Sequence, residues 1–218
     1  MAAEREIQFG AADRRLAATL GMPGHARALV IFAHGSGSGR RSPRNRFVAS
    51  KLNEAGIATL LLDLLTEHEE RLDNRTASLR FDIGLLARRV IVVTEWADTQ
   101  RELERLPIGY FGASTGAGAA LLAASRRPGI YAIVSRGGRP DLAGDALRDV
   151  SAPTLLIVGA RDPIVLDLNR KAASQLSHSE IAVVPGATHL FEEPGALEAV
   201  VTLARRWFLQ HLPGRGAP

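Results

Sequence analysis

The chain has 218 residues, 46% of them apolar and 23% charged, with a formal charge of +4 and no cysteine. That balance fits one soluble α/β domain with a sizeable core, and it excludes a disulfide framework, a thiolate zinc site and a cysteine nucleophile. The charged amino terminus lacks the apolar stretch of a secretory signal, and no apolar run is long enough to span a membrane, so the expected compartment is the cytoplasm.

The only lysines are Lys51 and Lys171, so the positive excess is carried by scattered arginines. Their one tight cluster, Arg40, Arg41, Arg44 and Arg46, has no interleaved aromatics for base stacking and reads as a solvated surface rather than a nucleic-acid site.

In chain order, Glu4–Phe9 and Arg14–Leu20 read as an antiparallel hairpin turning at Ala11-Ala12-Asp13. Leu29–Ala33 is a strand, Asn45–Ala55 a helix ended by Gly56, and Ala58–Asp63 the next strand. Leu64 to Asn74 is dense in charge and reads as a solvated loop, free to lie over a site or against a partner chain. Leu79–Thr99 has helical spacing. Pro107–Phe111, Ile130–Ser135, Thr154–Gly159 and Ile181–Val184 are strands, with Gly116–Ser125, Leu166–Leu176 and Leu197–His211 as helices. The alternation predicts a mostly parallel sheet of about eight strands with helices on both faces, in a single domain over residues 1–212 followed by a frayed tail, 213–218.

Gly112-Ala113-Ser114-Thr115-Gly116 lies between a strand and an alanine-rich helix, the setting of a nucleophile elbow, with Ser114 as nucleophile. A serine hydroxyl needs a base, and His189 follows the last strand, whereas His25, His68, His178 and His211 have no such placement. Asp162, at the end of the preceding strand, is the carboxylate to orient the imidazole; its competitors are Asp141, Glu192 and Glu193. The backbone N–H groups of Thr115 and Ser36 are the expected oxyanion donors, Ser36 from the loop His34-Gly35-Ser36-Gly37-Ser38-Gly39. That loop lacks the third glycine of a dinucleotide fingerprint and the Gly-Lys-Ser/Thr ending of a P-loop. His34, His189 and the nearby acids lack metal-ligand spacing, so neither metal nor cofactor is expected.

Together His34-Gly35-Ser36-Gly37-Ser38, Gly112-Ala113-Ser114-Thr115-Gly116, Gly159-Ala160-Arg161-Asp162 and Gly186-Ala187-Thr188-His189 resemble the dienelactone hydrolase-like branch of the α/β-hydrolase superfamily. Ser42-Pro43-Arg44-Asn45 and Ser135-Arg136-Gly137-Gly138-Arg139-Pro140-Asp141 are similar to a bacterial subgroup sometimes fused to phosphoribosyltransferase domains. The resemblance implies an α/β-hydrolase fold and a cofactor-free esterase or lactonase using Ser114, Asp162 and His189. The enzymes that name the branch carry cysteine at the elbow, so serine here points to a general carboxylesterase.

The short stretch between Ser135 and Thr154 leaves no room for a large cap domain, and an open, shallow pocket for short acyl esters or small lactones is the expectation. Arg136 and Arg139 lie near that pocket, either to clamp an acidic substrate or to pair with Asp141 or Asp145. A thioesterase or acyltransferase on the same triad, or a non-catalytic scaffold, stays open, as does the oligomeric state, a homodimer included.

Overall fold

The computed structural model describes residues 2–11 and 14–214, so Ala12 and Asp13 of the expected turn and residues 215–218 of the expected tail lie outside the described residues. Strands β1 (Ala3–Ala11) and β2 (Arg14–Met22) form an antiparallel pair. They are followed by β3 (Ala28–Ala33), α1 (Pro43–Glu54), β4 (Ile57–Leu62), α2 (Glu67–Thr76) and α3 (Ile83–Asp98). Then come β5 (Ile108–Ala113), α4 (Thr115–Arg126), β6 (Ile133–Arg136) and a 3-10 segment, Pro140–Asp149. β7 (Thr154–Gly159), α5 (Pro163–Ala173), β8 (Ser179–Val184) and α6 (Ala196–Gln210) complete the order.

The eight strands form one sheet in the order β1-β2-β4-β3-β5-β6-β7-β8, parallel from β4 onward. Every residue of β3, β4, β5 and β7 is buried, because helices cover both faces. Such strands read as unbroken apolar runs rather than alternating ones. One face packs Ile31, Leu60, Tyr110 and Leu156 against α3 and α4; the other packs Phe32, Phe111, Val134 and Ile157 against α1 and α6. Phe32 and Phe111 stack across β3 and β5 with ring centroids 4.7 Å apart. The chain leaves β3 toward β4 on one side and β5 begins on the other, so the crevice at their carboxyl ends is a topological switch point, where open α/β sheets bind ligands.

Several boundaries move from the sequence reading. The segment 64–74, read as a loop, contains α2, started by a capping box in which Thr66 and Glu69 exchange side-chain and backbone bonds. α3 begins at Ile83 rather than Leu79 because Asp82 caps it, accepting from the Leu85 N–H. Strand pairing in β6 starts at Ile133, not Ile130, β8 reaches back to Ser179, and α5 runs from Pro163, not Leu166, because proline fits a helix's first turn. The connection after β6 holds only the 3-10 segment, which lies against α4 and forms no cap. Among the described residues no helix is long and apolar enough to cross a membrane.

Candidate active site

The turn from β5 into α4 holds Ser114 at φ 50°, ψ −124°, a left-handed conformation disfavoured for any side chain, costing about 1–3 kcal/mol. Backbone bonds impose it. The Ser114 N–H donates to the Arg136 carbonyl at 3.3 Å, and the Ser114 carbonyl accepts from Ala117 at 3.1 Å and Arg139 at 3.0 Å. Glycine is required on both sides: a Cβ on Gly112 would lie 2.4 Å from Ala117 Cα, and one on Gly116 2.2 Å from the Ala33 carbonyl oxygen. Ser114 is therefore lifted, half-buried, at the amino end of α4, whose dipole favours negative charge there.

Two strands along, Asp162 stands at the start of α5 but does not cap it; its Oδ2 lies 2.7 Å from His189 Nδ1. A carboxylate only accepts, so Nδ1 carries the proton and the Nε2 lone pair is left for use as a base. The two loops are stitched together: Arg161 N–H donates to the Ala187 carbonyl at 2.9 Å and Ala160 N–H to that of Val184 at 3.0 Å. Gly159 permits this, since a Cβ there would meet the Ala187 oxygen at 2.3 Å. The other carboxylates are engaged elsewhere: Asp141 with Arg139, Glu192 with Arg44, and Glu193 with the Thr188 N–H.

Gly137, in the loop after β6, links the two halves. Its chain neighbour Arg136 holds the Ser114 N–H, and a Cβ on Gly137 would lie 3.6 Å from His189 Cε1. Among the described residues Ser114 Oγ makes no hydrogen bond, and the His189 ring bonds only Asp162. Such contacts are commonly long without substrate and tighten in the reacting complex.

Thr115 is buried and its hydroxyl lies 3.1 Å from that of Ser36, tying the glycine loop after β3 to the elbow. Among the described residues neither the Thr115 nor the Ser36 backbone N–H donates to a protein acceptor. Beside them opens a cleft of about 490 Å³, lined by Ser36, Thr115, the rest of the glycine loop, Leu65, Glu70 and Arg80. α2 forms one side of it. α2 is held by ion pairs: the buried Glu69 with the buried Arg89 at 3.1 Å, and the buried Asp73 with the half-buried Arg80 at 2.7 Å. Burial, with Asp63, Glu67 and Asp73 nearby, raises the Glu70 pKa.

His34 is a clamp rather than a ligand or base. Nε2 accepts from the Leu64 N–H at 2.9 Å and Nδ1 donates to the Gly35 carbonyl at 2.9 Å, fixing the neutral ring; burial pushes its pKa down. Of the two arginines singled out in the sequence, Arg139 is occupied by a bidentate pair to Asp141, at 2.8 and 2.7 Å. Arg136 is buried and, among the described residues, has no carboxylate partner. Among the described residues no cluster of three or more His, Asp or Glu side chains is placed to hold a metal ion.

The model of the alpha/beta hydrolase domain family matches residues 26–201. The chain belongs to the α/β-hydrolase family. This α/β hydrolase is 52% identical to a dienelactone hydrolase from Anabaena variabilis of known structure, with a TM-score of 0.95 over 97% of this chain and 99% of that one. Its sequence resemblance to the dienelactone hydrolase-like branch thus extends to the whole fold. It is also 57% identical over 215 residues, 98% of its length, to proteins from two strains of Mycobacterium tuberculosis provisionally named phosphoribosyl transferases. The chain spans about half the length of these relatives, 48%. Est1E from Butyrivibrio proteoclasticus, at 18% identity and a TM-score of 0.80 over 94% of this chain and 98% of its own, shares the fold.

Proposed function

We propose that this α/β hydrolase is a serine carboxylesterase acting on short acyl esters or small lactones, with Ser114 as nucleophile, His189 as base and Asp162 as the residue that orients it. The observation that carries the reading is the 2.7 Å His189–Asp162 bond beside a serine held at positive φ. Nε2 takes the Ser114 proton as Oγ bonds to the carbonyl carbon, and the Thr115 and Ser36 amides hold the oxyanion. The proton passes to the departing alkoxide as the ester C–O bond breaks. The same nitrogen then deprotonates water, which attacks the acyl-serine and releases the acid. The chemistry draws on these side chains, the two backbone amides and water. A thioester would form the same acyl-serine, and an acceptor other than water would make the reaction an acyl transfer. The name of the mycobacterial relatives describes proteins about twice this length, and the reading offered here concerns the shared half.

The test is intact mass after treatment with a fluorophosphonate, with p-nitrophenyl acetate hydrolysis followed in parallel. A single adduct and turnover, both lost in Ser114→Ala, are the expected result. No adduct and no turnover in folded wild-type protein would overturn the reading and favour a non-catalytic scaffold.

A further inference from the structure

Arg136 is the last residue of β6, level with Ala113 on β5 and Ile157 on β7, so its backbone is one strand spacing from the elbow. Neighbouring side chains on a strand point to opposite faces. A Cβ on Gly138 would meet Ser135 Oγ and Ala117 Cβ, which puts Ser135 on the α4 side. Arg136 therefore shares a face with Val134, the face covered by α1 and α6. There it lies within the field of Arg44, in the first turn of α1.

Arg136 is 8% exposed and, among the described residues, its side chain makes no hydrogen bond or ion pair; its Nη1 is sealed from solvent without a partner. This sets it apart from Arg40, Arg80, Arg89 and Arg139, each of which has a carboxylate. Arg44 is half-served: an Nη1 bonds Glu192 at 2.7 Å, while its buried Nε has no partner. Burial, and next the charge of Arg44, lower the Arg136 pKa to about 10, which leaves Arg136 protonated at neutral pH. The first turn of α1 has no acidic residue to offset its dipole. An unpaired guanidinium out of water is among the costliest groups a fold can keep, and a second cation beside it adds to that cost.

We infer that Arg136 and Arg44 form a subsite for a small oxyanion, carboxylate or phosphate, adjoining the proposed nucleophile. Two planar guanidinium forks with unmet N–H donors match such a group in charge and geometry. Where the anion is part of the substrate, the inference rests on the proposed ester hydrolysis; the binding itself does not.

Two measurements separate these. The first compares kcat/KM for p-nitrophenyl butyrate and the monoanionic p-nitrophenyl hemisuccinate in wild type, Arg136→Lys and Arg136→Gln. The wild type is expected to favour the anionic ester at least tenfold, with that ratio falling at least tenfold in Arg136→Gln and less in Arg136→Lys. The second titrates succinate and inorganic phosphate calorimetrically into Ser114→Ala and into Ser114→Ala/Arg136→Lys, folded state being checked by circular dichroism. A preference for the anionic ester assigns the anion to the substrate; binding of either free anion, weakened by Arg136→Lys, without ester preference assigns the subsite to a free anion. If neither ester is turned over but the anions still bind, the hydrolase reading fails and the subsite stands. If folded protein shows neither preference nor binding, the subsite is wrong.

Discussion

The two sides of the crevice are built differently. On the β5–β8 side the position of every candidate reacting group is set by backbone: the strained Ser114, the glycines that let strand, helix and loop touch, and the stitched loops that bring His189 to Asp162. On the β3–β4 side the wall of the cleft is held by side chains: the Thr66–Glu69 cap, the Glu69–Arg89 and Asp73–Arg80 pairs, and the His34 clamp. Backbone contacts admit no partial adjustment, whereas side-chain pairs relax. The first side should therefore fail abruptly and the second by degrees.

The largest effect is expected from Asp162→Asn, which leaves the shape intact but removes the acceptor that keeps the proton on His189 Nδ1. On the proposed mechanism kcat for p-nitrophenyl acetate falls by about 10⁴-fold with the urea midpoint little changed. A fall of less than tenfold would show that another group orients the imidazole. Gly116→Ala comes next. Its methyl would lie 2.2 Å from a backbone oxygen that cannot step aside, and urea denaturation should show a loss of about 3 kcal/mol or more. Wild-type stability in this variant would break the contrast between the two sides.

On the other side, acid should act gradually through His34. Its native pKa lies below the ordinary value of 6.5, so below about pH 6.5 the unfolded chain takes up a proton that the native ring refuses. The contribution to stability is complete above that pH and declines below it, by no more than about 1.4 kcal/mol at about pH 5.5. Urea midpoints for wild type and His34→Asn at both pH values check this: the variant should show a shallower pH slope. An identical slope would assign the acid sensitivity to other groups. The smallest effect belongs to Thr66→Ala, which removes the α2 cap and should cost about 1 kcal/mol. Hydrogen exchange should report it as faster exchange in the first turn of α2, with the β5 amides unchanged.

How much could be read in advance follows the same division. β3, β5 and β7 are buried on both faces and so appear as apolar runs that need no partner to be recognised. Ser114, Asp162 and His189 each follow a strand, and the glycines around them mark where only a residue without a side chain fits. By contrast α2 reads as a loop in the sequence because its buried positions are Glu69 and Asp73. Charges that point inward toward arginines of other segments leave no apolar stripe, and periodicity passes over them.

Arg136 and Arg139 make the point within three residues. Both lie past or at the end of one strand, and by sequence they are equivalent; one is neutralised by Asp141 and the other is buried beside Arg44. The sequence by itself determined the sheet, the elbow and the order of the candidate triad, because local backbone requirements and apolar runs are written in consecutive residues. Only the tertiary structure decided which charges meet, since an ion pair joins segments far apart in the chain and its partners are chosen by packing.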